Sequence, residues 1–198
     1  MFWYFLFFFV SGFCGILYEL IWLRLAMAQF GVTTALVSIV LSSFMAGLGA
    51  GSLGAGLLIR RHGSKISFPP LRLYALAELL IGCSAIAVPA ELIAGHYLLA
   101  HMASGATFSS AAYYVLSGTW VAFTLVPWCA CMGATIPLAM FAIRRNIQIE
   151  SQRSFSFLYL SNVLGAAVGA ILPLLFIEWR GFHSTLLIGA LLNCSIAI

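Results

Sequence analysis

Three glutamates, Glu19, Glu78 and Glu91, lie inside long apolar stretches of this chain. Placing an ionised carboxyl group in hydrocarbon costs about 3 kcal/mol or more, so each of these residues is a candidate for binding a proton, a cation or a substrate. Other polar side chains join such a site when they lie one helical turn away, or at the same depth in a neighbouring stretch.

Glu78 is the centre of the first candidate group. Tyr74 lies one turn before Glu78, and Tyr159 lies one turn before Asn162 in a later apolar stretch. Glu78 and Asn162 each lie about seven residues into their stretch, roughly 10 Å from its start. We therefore expect Tyr74, Glu78, Tyr159 and Asn162 to form a polar cluster near one membrane face. The cluster is either a structural knot of interhelical hydrogen bonds or a proton or cation site.

Glu19, Arg24 and Glu91 form the second candidate group, at the opposite ends of their stretches. Glu19 and Arg24 are about 140° apart around a helix, so they are poorly placed to pair with each other. Arg24 is better placed to pair with Glu91 across two helices. This group is a second candidate ligand site.

Several kinds of chemistry are disfavoured by the same residues. The chain has no aspartate, no HExxH or GxSxG motif, and no His, Cys and Glu spacing typical of a metal site. We expect no metal and no cofactor, and we interpret the five cysteines as small apolar filler. The net charge of +4 belongs to loops between apolar stretches and does not indicate a nucleic-acid partner.

The elements that position these residues are membrane-spanning helices. Charged residues make up 7% of the 198 residues and hydrophobic ones 63%, whereas soluble proteins carry about 25% charge. The apolar stretches are continuous rather than alternating, which favours helices over a barrel. We predict an all-α polytopic membrane helix bundle that forms a single domain over residues 1–198. Its expected spans, about six, are 2–25, 33–59, 71–99, 112–143, 155–179 and 182–198.

The basic residues predict the orientation of the bundle. Most of them lie in the 60–72 and 144–153 connections, whereas the 100–111 connection has neither Lys nor Arg. Loops rich in Lys and Arg stay in the cytoplasm. We therefore expect a multi-pass protein of the bacterial cytoplasmic (inner) membrane with both termini cytoplasmic. The last span stops without a flanking charge, which predicts that the chain continues into a cytoplasmic domain.

Small residues recur every four positions in two of the predicted spans. Gly47, Gly51 and Ala55 form one such row, and Gly165 and Gly169 form another. This spacing lets two helix backbones approach closely in lipid. The rows indicate either tight packing inside one chain or the seam of a homodimer.

Four segments resemble the N-terminal membrane region of transmembrane spermidine-synthase-like proteins. They are SGFCGILYELIWLRLAMAQFGVTTALVSIVLSSFMAGLGAGSLGAG, YALAELLIGCSAIAVP, PWCACMGATIPL and LYLSNVLGAAVGAILP. The resemblance covers almost the whole chain in the same order. It implies a membrane bundle that precedes a cytoplasmic aminopropyltransferase-like domain, supplied in cis or in trans. That catalytic domain is absent from these residues, so the resemblance implies no enzyme activity for this chain alone.

The family is also similar to the major facilitator superfamily, which implies half of such a transporter. The cytoplasmic loop motif of that superfamily is matched at Gly56, Arg61, Gly63 and Lys65. The acidic position of the motif is Arg60, and its first closing basic position is Ser64, so the gating contacts of the motif are in doubt.

Three functions are compatible with these observations. The favoured one is a membrane domain that anchors or positions a cytoplasmic aminopropyltransferase-like domain. The second is a half-transporter for a small amine or metabolite that works as a dimer, because six spans need a second half to move against. The third is a structural subunit of a larger membrane assembly.

Overall fold

The computed structural model describes residues 2–63, 69–104, 109–146 and 151–197, and this part of the chain is almost entirely helical. Its five helices are each long and apolar enough to cross a membrane. The prediction of an all-α protein is thereby confirmed, and its helices have the length and apolar composition that the predicted membrane bundle requires. The helices are α1 (Phe2–Phe30), α2 (Thr34–His62), α3 (Pro70–Ser104), α4 (Ser110–Asn146) and α5 (Ser151–Ala197).

The first helix is longer than the sequence predicted. It continues past residue 25 to Phe30 and ends at Gly31, whose φ of 102° favours glycine. Thr33 then caps α2, since its side-chain oxygen accepts a hydrogen bond of 3.2 Å from the Leu36 amide. The end of α1 is therefore set by the glycine at position 31 and by the cap of α2, and not by the charge of Arg24.

The longest helix, α5, is interrupted at the Arg180–Gly181 position where the sequence predicted a turn. Gly181 has φ 76° and ψ 174°, which are not helical values. We call residues 151–180 the first segment of α5 and residues 182–197 its second segment.

The contacts of α5 with α1 show that the chain reverses direction at this break. In the first segment, Gly165 lies against Phe9 and Gly169 against Phe13, so the two helices run parallel. In the second segment, Phe182 lies under Arg24 and Gly189 lies beside Tyr18, so the segment runs antiparallel to α1.

Two parallel helix pairs carry the closest backbone contacts in the described residues. In the pair of α1 and α5, Gly12 faces the backbone of Asn162 and Gly165 faces the backbone of Phe9. A Cβ at either glycine would overlap a backbone carbonyl group of the partner helix. Both helices of the pair therefore need glycine at the contact.

The pair of α2 and α4 repeats this arrangement. Gly133 faces the backbone of Leu48, and Gly51 faces the backbone of Ala130. In each pair the facing residues are offset by three positions on both helices. The glycine rows predicted from the sequence thus pack inside the chain, at Gly47 and Gly51 in α2 and at Gly165 and Gly169 in α5.

The two pairs run in opposite directions, and α3 links them. Phe8 stacks on Tyr74 and His96 bonds to the Gln29 carbonyl, so α3 is parallel to α1. Gly95 packs against the Trp120 ring, and Glu91 contacts both Trp120 and Trp128, so α3 is antiparallel to α4. The largest fully buried side chains, Tyr18 and Trp22, belong to α1, which lies at the centre of the bundle.

We expect Gly51→Val to lower the free energy of unfolding by about 3 kcal/mol, because the new side chain overlaps the Ala130 backbone and forces α2 away from α4. Gly54→Val on the same helix is the matched control, since a Cβ there meets no atom within 4 Å. Detergent-induced unfolding of the purified protein measures the free energy of unfolding of both variants. Equal losses in the two variants would contradict the packing described here.

Candidate functional site

A cavity of about 310 Å³ lies between the two helix pairs. Gly12, Gly15 and Gly133 contribute no side chains to it, which leaves the space open. Its walls are mostly apolar, and they include Phe44, Leu48 and other side chains, with all five helices contributing. The polar residues that line it are Ser11, Glu19, Ser52, Thr135 and Asn162.

Glu19 is the acidic group of this cavity, and no basic residue is among the described residues that line it. The sequence analysis placed Glu19 with Arg24 and Glu91 at the far end of the first span. Because α1 continues to Phe30, Glu19 lies about 16 Å from the end of its helix, well inside the bundle. It therefore shares a cavity with Asn162 instead.

Glu78 lies behind the cavity wall and is 0% exposed. Its Oε1 atom accepts a hydrogen bond of 2.8 Å from the Ser11 hydroxyl, and Ser11 lines the cavity. The buried Tyr74 hydroxyl lies close to the same carboxyl group without the geometry of a hydrogen bond. Ser11 is thus the link between Glu78 and the cavity, and the sequence analysis did not single it out.

Asn162 and Tyr74 meet the same residue of α1 from two sides. The Tyr74 ring stacks on Phe8 with centroids 5.8 Å apart, and the Asn162 side chain donates to the Phe8 carbonyl at 3.4 Å. The predicted neighbours of Glu78 therefore converge on α1, which passes between Glu78 and Asn162.

Tyr159 does not join this group. Its side chain is 54% exposed, and its ring stacks on Phe155 with centroids 6.1 Å apart. The first segment of α5 turns Gly165 toward α1, and Tyr159 lies about 120° away from Gly165 around the helix. The expectation of a four-residue cluster is corrected to three residues arranged around α1.

Arg24 and Glu91 do not pair with each other. The Arg24 guanidinium lies 6.0 Å from the centroid of the Phe182 ring. Glu91 is held instead by α4, where Trp128 Nε1 donates to its Oε2 at 3.3 Å and Trp120 Nε1 donates to its backbone carbonyl at 2.9 Å. Glu91 bonds to the indole N–H of Trp128 rather than to Arg24 because α3 packs against α4 along this stretch.

The residues that matched the loop motif lie at the end of α2. Gly63 caps the helix, with its N–H bonded to the Ile59 carbonyl at 2.8 Å, and Arg61 is exposed. Lys65 lies outside the described residues. Gly56 lines a groove of about 820 Å³, together with Arg60 and Arg144 from the ends of α2 and α4.

No protein-family model, curated protein or solved structure matches this chain. What the cavity can bind therefore follows from its lining. One carboxyl group, one amide and three hydroxyl groups offer hydrogen-bond acceptors, and a carboxylate in an apolar setting attracts positive charge. In the described ranges, no three His, Cys, Asp or Glu side chains are grouped so that they could hold a metal ion.

Ser11→Ala removes the one hydrogen bond of good geometry that Glu78 receives from the described residues, so we expect it to lower the free energy of unfolding by about 1 kcal/mol. Ser195→Ala is the matched control, because that hydroxyl is exposed and bonds only to carbonyls of its own helix. Unfolding of both variants in the same detergent gives the comparison. If Ser11→Ala lowers the free energy of unfolding no more than Ser195→Ala does, the hydrogen bond between Ser11 and Glu78 does not stabilise the fold.

Proposed function

We propose that this chain is a membrane domain that binds a small organic cation, in the simplest case an amine, in the cavity between its helix pairs. The observation that carries the proposal is the composition of the lining. Glu19 supplies a carboxyl group, and Ser11 and Asn162 supply neutral acceptors, while no base from the described residues neutralises the site.

The energetics of charge in a membrane support a cationic ligand. An ionised carboxylate away from water is costly unless a positive charge accompanies it. An amine cation would supply that charge and could donate its N–H groups to Glu19 and to the cavity hydroxyls. An anionic ligand would add a second negative charge to the same space and is disfavoured.

The arrangement of helices supports six spans and the architecture of half a major-facilitator transporter. If the two segments of α5 cross the membrane separately, the chain crosses six times in alternating directions. The inverted repeats of such a half would then be α1 to α3 on one side and α4 with the two segments of α5 on the other, and the axis between the repeats would relate the pair of α1 and α5 to the pair of α2 and α4. In this proposal a second copy or another partner supplies the second half needed for transport.

Purified protein in lipid nanodiscs should bind putrescine, as measured by calorimetry. We expect Glu19→Gln to weaken this binding about tenfold or more, because the neutral amide no longer balances the positive charge of the ligand. Gly15→Val should also weaken binding, because a side chain there enters the cavity without meeting another atom within 4 Å of its Cβ.

Two controls accompany this measurement. Glu178→Gln removes an exposed carboxyl group that does not line the cavity, and it should leave binding unchanged. Succinate, a dianion of similar length to putrescine, should not bind. Failure of the unaltered protein to bind putrescine or spermidine, or equal binding by Glu19→Gln, would refute the proposal.

A second candidate function is the anchoring of a cytoplasmic aminopropyltransferase-like domain, which the sequence resemblance implies. Phe8 near the start of α1, Ile143 near the end of α4 and Ile196 near the end of α5 belong to one buried cluster. Ile59 near the end of α2 packs against the same cluster. The ends of these helices are therefore neighbours.

The basic residues of α2 and α4 favour a cytoplasmic location for that end. Arg60 and Arg61 close α2, and Arg144 and Arg145 close α4. Such residues remain on the cytoplasmic side of a bacterial inner membrane. A catalytic domain that follows the described residues would then begin in the cytoplasm.

We expect green fluorescent protein fused after Ala197 to fluoresce in bacterial cells, and alkaline phosphatase fused at the same place to be inactive. Phosphatase inserted between Ser104 and Ser109 should be active, because that connection faces the other side. Phosphatase activity at Ala197 would overturn the anchor, and activity at both Ala197 and the 104–109 insertion would also overturn the six-span arrangement.

A further inference from the structure

The seam between α1, α3 and the second segment of α5 encloses polar atoms that have no hydrogen-bond partner among the described residues. They include Glu78 Oε2, the Tyr18 hydroxyl, and Oδ1 and Nδ2 of Asn193. All three residues are 0% exposed. Native proteins leave few buried polar groups unpaired, so such a concentration requires an explanation.

These residues are neighbours across the seam. Tyr18 lies two turns beyond Ser11 on the same face of α1, and Ser11 bonds to Glu78. A Cβ built on Gly82, one turn beyond Glu78 on α3, would lie 3.6 Å from Cβ of Asn193, and one built on Gly189 would lie 3.2 Å from the Tyr18 hydroxyl. Small residues on α3 and α5 therefore bring the three polar side chains to one region.

We infer that Glu78 is a proton-exchange site for the cavity, which releases its proton when an organic cation binds beside Ser11. The inference deepens the proposed function and rests on it. Glu78 has one oxygen tied to the cavity wall through Ser11 and its other oxygen in the enclosed polar seam.

The surroundings of Glu78 favour a neutral acid while the cavity is empty. The Ser11 hydroxyl donates to its carboxyl group and the Tyr74 hydroxyl lies beside it, and neither hydroxyl carries a positive charge. The titratable groups facing it are the Cys14 thiol and the Tyr18 phenol from α1 and the Tyr74 phenol of its own helix, while the Cys194 thiol of α5 lies near Gly82. None of these four groups can supply a positive charge.

A cation in the cavity reverses this preference. Its charge acts on Glu78 across the Ser11 side chain, through a medium in which electrostatic interactions are strong. The Ser11 hydroxyl already donates to Oε1, so the carboxylate keeps a hydrogen bond when it forms.

The step conserves atoms and charge. The O–H bond of Glu78 breaks, the proton passes to cavity water and leaves to the solvent, and the positive charge of the bound amine replaces it. No oxidant or reductant takes part. The exchange is therefore a proton-for-cation swap within one buried site.

Calorimetry of putrescine binding in phosphate and in HEPES buffer tests the inference, because these buffers differ in ionisation enthalpy and so reveal released protons, and neither is a cation that would compete for the cavity. The unaltered protein should release a proton for each putrescine bound. Glu78→Gln should still bind putrescine but release one proton fewer than the unaltered protein, and Glu178→Gln should behave as the unaltered protein. Proton release in Glu78→Gln equal to that of the unaltered protein would overturn the inference and leave the proposed function standing, whereas absence of binding in the unaltered protein would refute both.

Infrared difference spectra provide a second readout that does not require Glu78→Gln to fold. Putrescine should remove a C=O band of a protonated carboxylic acid from the spectrum of the unaltered protein. In Ser11→Ala the same band should lie at higher frequency, because its carbonyl oxygen loses the hydrogen bond. A spectrum without such a band, or one unaffected by putrescine or by Ser11→Ala, would contradict the inference.

Discussion

The close approach of helix backbones at glycine is the constraint on which the rest of this bundle depends. Lipid tails are as apolar as the side chains, so burying leucine against leucine gives the helices little reason to associate. Contact between backbones, made over Gly12 and Gly165 in one pair and over Gly51 and Gly133 in the other, supplies dispersion contacts that longer side chains would prevent.

The cavity is a consequence of the same contacts. Where two pairs of closely packed helices meet, the residues at the pair contacts are too small to fill the space between the pairs. Gly12 and Gly133 take part both in a pair contact and in the cavity lining. Tight packing within each pair and open space between them therefore arise from the same positions, and Glu19 and Asn162 occupy the edge of that space.

The sequence predicted the features that depend on composition and local spacing. Membrane-spanning helices, the glycine contacts and the proximity of Tyr74 to Glu78 follow from hydropathy and from helical periodicity. The sequence analysis failed where the rotation or the end of a helix decides the contact. The exposure of Tyr159 depends on which face of α5 packs against α1. The depth of Glu19 in the bundle depends on how far α1 continues beyond Arg24. Ser11 could have been found by asking which small polar residue of the first span lies at the depth of Glu78.

The preference of Arg24 for an aromatic ring over Glu91 has the same origin. Spacing along one chain identifies charged residues at similar depth, but it does not say which helices are adjacent. The second segment of α5 packs antiparallel to α1 and brings Phe182 to Arg24, while α4 brings Trp128 to Glu91. Side chains from later helices therefore contact Arg24 and Glu91, in place of the Arg24–Glu91 pair that their similar depth in the membrane had predicted.

The break at Gly181 also bears on how the protein is made. No loop separates the two segments of α5, and the residues around the bend, Glu178, Trp179 and Arg180, are all exposed. During synthesis, the second segment therefore leaves the ribosome directly after the first, with only the residues of the bend between them. In the six-span arrangement the two segments would enter the bilayer together as a closed hairpin, and an external protease would find almost no chain to cut at that side.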